Sequence, residues 1–136
     1  YCASAIIVCA PEPTLFEVAQ ARVEDMIARG YFSHVNPDGH GPNYLVRQAD
    51  WPLPDWYSQE ATGNNIESLA AGYPMAEDVI RGLSQSPGHW AHLMGLNDFF
   101  RAQDSYGIGC AYNATAKYQF YWCVIVAKKD VMVSGE

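Results

Sequence analysis

The chain has 136 residues, 49% of them hydrophobic and 17% charged, with a formal net charge of −7. That composition builds one domain with a core and excludes a disordered chain. The acidic balance excludes the basic footprint that nucleic acid requires and argues against docking to anionic lipid; no apolar run has the length of a membrane span, the longest candidate, 3–10, being half of it.

In chain order, Ala3–Ala10 reads as an ordered N-terminal segment, because Cys2 and Cys9 bracket most of it. The first strong element is a helix from about Thr14 to Arg29. Thr14 and Glu17 have capping-box spacing; Leu15, Val18, Ala19, Val23, Met26 and Ile27 follow the helical period; Gly30 supplies the stop behind Arg29. Pro37-Asp38-Gly39 is turn chemistry. A short helix is predicted from Pro42 to Gln48. Trp51–Tyr57 repeats proline and reads as an ordered aromatic loop. Asn64–Ala71 favours a short strand. A second clear helix runs from about Ala76 to Gln85, with Ala76, Val79, Ile80 and Leu83 on one face. Ser86-Pro87 has the pattern of an N-cap followed by proline at the first helical position, opening a helix to Met94 that Gly95 ends. Asn97 caps a further turn through Gln103.

The period then changes. Tyr106, Ile108, Cys110 and Tyr112 alternate with Gly107, Gly109 and Ala111, and Tyr118–Ala127 is aromatic and β-branched. These runs predict an antiparallel hairpin with a polar connection near 113–117. Helices early and a hairpin late predict an α+β class. The four cysteines form no C-x-x-C pair, and an even count in a small acidic domain points to disulfides in an oxidising compartment. Of three possible connectivities, Cys110–Cys123 with Cys2–Cys9 is favoured, the first pair lying on neighbouring strands; four buried thiols are the alternative. Asn113-Ala114-Thr115 matches a glycosylation triplet, a pattern common by chance.

The four histidines are His34, His40, His89 and His92. Imidazole suits both metal binding and proton transfer near neutrality. His89 and His92 share a helix face. His89 lies just inside a helix N-terminus, where the dipole favours the neutral, metal-binding form. Two histidines from distant segments plus a carboxylate make an open metal site completed by water. Taken singly, each is a common half-buried histidine and Glu67 an ordinary glutamate. No G-x-S-x-G, H-E-x-x-H or phosphate-binding glycine loop occurs.

Taken together, four segments resemble the CAP superfamily (cysteine-rich secretory proteins, antigen 5, pathogenesis-related proteins) in its bacterial SCP-like form. They are Tyr31-Phe32-Ser33-His34-Val35-Asn36-Pro37-Asp38-Gly39, Glu67-Ser68-Leu69-Ala70-Ala71-Gly72-Tyr73, Ser86-Pro87-Gly88-His89-Trp90-Ala91-His92-Leu93, and Tyr106-Gly107-Ile108-Gly109 with Tyr121-Trp122-Cys123-Val124. Their order and spacing agree from Thr14 to Ala127. The resemblance implies one CAP domain over 1–136, an α-β-α sandwich with a small antiparallel sheet flanked by helices, and an extracellular or periplasmic location. It implies a cleft shared by His34, Glu67 and His89 that holds a divalent metal in some members; His92, added to that cleft here, either supplies a replacement ligand or faces solvent. The family's second glutamate has no match here, and its arginine and asparagine are replaced by Trp90 and His92.

Three functions follow as expectations. In the favoured one, the chain is a secreted monomeric binding protein whose cleft, with a rim of Trp51, Trp56, Tyr57 and Trp90, takes a lipid, glycan or protein ligand. The alternative is a metal-dependent, protease-like hydrolase in which His34 and His89 bind zinc or another divalent ion and Glu67 acts as the catalytic base. The third is a hydrogen-bond network that fixes the fold.

Overall fold

A computed structural model describes residues 9–130. Strand β1 (Ala10–Pro11) leads into helix α1 (Pro13–Arg29), followed by α2 (Pro42–Gln48), strand β2 (Glu67–Ala71), helices α3 (Ala76–Ser84), α4 (Pro87–Met94) and α5 (Asp98–Arg101), and the hairpin β3 (Ser105–Tyr112) and β4 (Phe120–Ala127). The sheet order is β1-β3-β4-β2. The expected all-antiparallel sheet is corrected to a mixed one: β2 and β3 flank β4 antiparallel, but β1 pairs parallel with Ser105 and Tyr106. A two-residue strand entering beside the hairpin carries no periodic signal in the sequence. The α+β class stands.

α1 covers the inner face of the sheet, and it does so at backbone distance. β3 presents Gly107 and Gly109 inward. A methyl group at Gly109 would lie 2.5 Å from the Ala19 carbonyl carbon, and one at Gly107 would collide with the backbone of Leu15 and Phe16. Glycine is required at both positions because the helix occupies the space of a side chain. Around this seat Leu15, Ala19, Val23, Met26, Val46, Ile66, Cys123 and Ile125 form the main core. On the outer face α3 and α4 cover the β2 side, with Ala70, Val79 and Leu83 buried and Tyr73, Leu93 and Trp122 packed against them. The β3 side stays open, with Ile108, Cys110 and Tyr112 exposed.

Several local expectations are corrected. α1 begins at Pro13 with Glu12 at the N-cap and no side-chain cap, so the Thr14–Glu17 box does not form; proline's fixed φ starts the helix instead. Asn97 does cap α5, accepting from the Phe100 N–H at 2.8 Å. Cys110–Cys123 is not a disulfide: the register sets Cys110 opposite Trp122 and Cys123 opposite Gly109. One residue of offset sends the two side chains to opposite faces, Cys110 into solvent and Cys123 into the core. Among the described residues Cys9 has no disulfide partner, and the Cys2–Cys9 pairing lies outside them because Cys2 does. Trp51 and Tyr57 are core residues and not a cleft rim. The Trp51 indole donates to Glu12 at 2.9 Å, and the Tyr57 hydroxyl accepts the Lys128 N–H at 3.0 Å. Trp56 is exposed and Trp90 half-buried.

Candidate functional site

β2 starts from an asparagine. The Asn64 side-chain oxygen accepts the N–H groups of Ile66 (3.0 Å) and Glu67 (2.8 Å), and its amide donates to the Glu67 carbonyl at 3.1 Å. This local loop, which favours asparagine, fixes where the strand begins and turns the Glu67 side chain inward.

The Glu67 carboxylate is buried and fully used. Arg22 from α1 grips it with two bonds, Nε to Oε2 at 2.7 Å and Nη2 to Oε1 at 3.0 Å. The Cys123 thiol donates to Oε2 at 3.3 Å, and His34 Nδ1 lies 2.8 Å from Oε1. Arg22 in turn donates to the Tyr31 hydroxyl and to the carbonyls of Ser33 and His34, so the same guanidinium holds the backbone that carries the histidine. Burial pushes the Glu67 carboxyl up, but hydrogen bonds from His34 and Arg22 and the guanidinium charge outweigh it and hold the group below its ordinary value. The Cys123 thiol is pushed well up by burial and by the adjacent carboxylate, which makes it inert. A carboxylate can only accept, so His34 Nδ1 carries the proton toward Glu67, and Nε2 is left without a partner among the described residues.

His89 and His92 come from α4. Ser86 occupies the N-cap position, yet its hydroxyl makes no cap bond and instead meets His89 Nδ1 at 2.8 Å. Burial, and then the neighbouring His34, lower the His89 pKa. His92 is buried, with Nε2 donating to the Val126 carbonyl at 3.0 Å and Nδ1 accepting from the Ser68 hydroxyl at 2.8 Å. Burial pulls its pKa down to about 4. His92 is therefore a neutral structural histidine with no lone pair to spare. His40 stacks on Tyr44 at 3.9 Å and is not part of the cleft lining.

A cleft of about 250 Å³ is lined by His34, Asn64, Glu67, Ser86, His89 and His92, among others. The structure thus brings together every histidine and carboxylate expected in the cleft. Phe100, edge-on to His92 at 5.2 Å, supplies the aromatic ring in its wall. Sequence reasoning missed Arg22, Asn64, Ser68 and the Cys123 thiol. Arg22 was open to detection: it lies four residues after Val18 and four before Met26, on the buried stripe of α1, where an unpaired charge would not be tolerated.

No family model matches the chain, and no curated protein matches it. Solved structures do. An outer surface protein from Borrelia burgdorferi superposes with a TM-score of 0.66 at 18% identity, over 90% of this chain and 78% of that one. An extracellular protein containing an SCP domain, from Bacillus anthracis str. Ames, superposes with a TM-score of 0.61 at 20% identity, over 88% of this chain. The likeness is one of fold. This chain spans only 34% of the length of the Bacillus protein. Among the described residues no helix is long and apolar enough to cross a membrane, and no group of three or more His, Cys, Asp or Glu side chains is placed to hold a metal ion.

Proposed function

We propose that this chain is an exported, CAP-type domain that acts by binding a ligand in the cleft between His34 and His89. The observation that carries the reading is the state of His34. Glu67 fixes its Nδ1 proton, Arg22 fixes Glu67, and Nε2 has no partner among the described residues on the cleft side. An imidazole oriented this way is prepared for contact with something outside the protein. The four CAP-like segments and the fold likeness to an outer surface protein and an extracellular SCP-containing protein support the export and the family.

Glu67 is a positioning residue in this reading. Both oxygens are taken by Arg22, His34 and Cys123, which leaves no lone pair directed at a water or substrate. A resident zinc ion does not fit the donor set either. With Glu67 and His92 engaged, only the Nε2 atoms of His34 and His89 remain among the described residues of the cleft, short of the three protein ligands of an open zinc site. Neither the Glu67 base nor the metal of the hydrolase reading finds support in this donor set.

A fragment library screened by ¹H–¹⁵N and imidazole NMR tests the assignment. Binders are expected to shift His34, Asn64 and His89 together and to weaken in both His34→Ala and His89→Ala. Fragments that bind only elsewhere, leaving those signals unmoved, remove the reading.

A further inference from the structure

A second cavity, of about 400 Å³, shares no lining residue with the His34–His89 cleft. It forms where the last turn of α1 meets the connection between β3 and β4. Met26 and Ile27 give it an aliphatic wall, and Phe32, Tyr118 and Tyr121 an aromatic one. The three rings meet edge to face, with centroids 5.6, 6.1 and 6.0 Å apart. Tyr121 is buried, but Phe32 is 40% and Tyr118 39% exposed, so the cavity opens to solvent along two aromatic side chains. Gly30 closes α1 here, and a methyl group on it would meet nothing within 4 Å. The volume falls in the range of roughly 300–1,000 Å³ that takes a small molecule.

Two donors at this cavity lack acceptors. Elsewhere Arg22, Arg29, Arg81, Arg101, Lys128 and Lys129 pair with carboxylates, and Arg47 donates to the carbonyls of Pro54, Tyr57 and Ser58. Lys117 alone of the lysines and arginines has neither kind of partner among the described residues. Its exposed ammonium stands 5.3 Å from the centre of the Tyr118 ring, in the cavity wall. The Tyr121 hydroxyl accepts the Tyr118 N–H at 3.4 Å and donates to no acceptor among the described residues, although Tyr121 is only 4% exposed. A buried phenol usually keeps a partner for its proton. Both donors thus lie against Tyr118. An ammonium and a hydroxyl without acceptors suit a carboxylate, which only accepts, and the rings beside them suit an aromatic body. A net charge of −7 and a single spare cation favour one negative charge on the ligand over two.

We propose that this cavity is a second binding site, for a small aromatic carboxylate whose ring lies against Phe32 and Tyr118 and whose carboxylate meets the Lys117 ammonium and the Tyr121 hydroxyl. The site stands independently of the His34–His89 cleft.

The test titrates benzoate, phenylacetate and 2-naphthoate into the full chain, followed by ¹H–¹⁵N NMR. The best of the three is then compared with its neutral carboxamide, with octanoate, and in the variants Lys117→Gln, Tyr121→Phe and His34→Ala. The amide signals of Gly30, Phe32, Lys117 and Tyr118 are expected to move together, while those of Asn64 and His89 stay still. Loss of the charge, in Lys117→Gln or in the carboxamide, is expected to weaken binding about tenfold, and loss of the phenol in Tyr121→Phe about threefold or more. Octanoate should bind more weakly than the aromatic acid, and His34→Ala should change nothing. No movement of those signals with any of the three acids overturns the inference. So does a carboxamide that binds as well as the acid, with Lys117→Gln unchanged, because the cavity is then an apolar hollow without selection for an anion. Octanoate binding as tightly as the aromatic acid overturns the aromatic class. Weakening in His34→Ala with shifts at His89 moves the ligand to the cleft and overturns the second site while supporting the first. Should Tyr121→Phe fail to fold, Lys117→Gln, at an exposed position, and the carboxamide on wild type give the answer.

Discussion

The two faces of the sheet solve the burial problem differently. The inner face lies under a helix that touches bare backbone at Gly107 and Gly109, and its buried ion pair, Arg22–Glu67, has both oxygens of the carboxylate occupied. The outer face is covered on the β2 side only, where one histidine is kept neutral by burial, and is open along β3. Charge survives in the tightly packed layer because it is completely partnered. The looser layer uses a neutral imidazole between a hydroxyl and a carbonyl.

The sharpest way to break this contrast is to remove one half of the ion pair. Arg22→Met leaves a buried carboxylate beside a thiol and is expected to cost about 3–5 kcal/mol in urea unfolding. Glu67→Gln should cost less, because an amide keeps part of the network; a smaller loss in Arg22→Met than in Glu67→Gln would contradict the assignment. On the outer face His92 sets an acid limit. Its folded pKa of about 4 lies below the ordinary 6.5, so the unfolded chain takes up the proton first. Stability is then at its full value above 6.5, falls as the pH drops toward about 4, and levels off below that, for a loss of up to about 3 kcal/mol. Unfolding curves of wild type and His92→Gln across that window should diverge, with the variant flatter. Glu67 adds a second decline below 4.5, since its depressed carboxyl stabilises the fold only while ionised. Gly109→Ala should lose about 1–3 kcal/mol in the same assay, because the helix must lift from its seat. The smallest effect belongs to the open face: Cys110→Ser should stay within about 0.5 kcal/mol of wild type. In the native protein Cys110 should react promptly with a thiol reagent, and Cys123 only on unfolding.

Much of this fold is legible in local chemistry. Prolines at 42 and 87, glycines at 30 and 95 and the asparagine at 97 all mark boundaries where such residues should, because they act on their own backbone. The hairpin is visible in its alternation. What local chemistry misses is partnership. Cys110 and Cys123 look equidistant from a turn, but Gln119 at φ 68° and the turn around Asn113 set a register one residue away from pairing them. The aromatic residues Trp51 and Tyr57 look like a rim because composition does not say which side of a loop faces inward. In the site, His34, Glu67 and His89 follow from the resemblance, whereas Arg22 shows itself only when the buried stripe of α1 is followed through a charged position. That His92 is sealed in depends on Val126, far along the chain, which no spacing rule connects to it.

The missing methyl groups at 107 and 109 reach further than the helix they admit. α1 is a stiff rod resting on two flat points of β3, and Arg22 hangs from its middle with one guanidinium spread over Glu67 and the backbone of Ser33 and His34. A helix raised by even a side chain's thickness would draw that guanidinium away from both. The orientation of the exposed imidazole is thus governed from the floor of the sheet, and variation beneath the rod is a means of retuning the cleft without altering any residue that lines it.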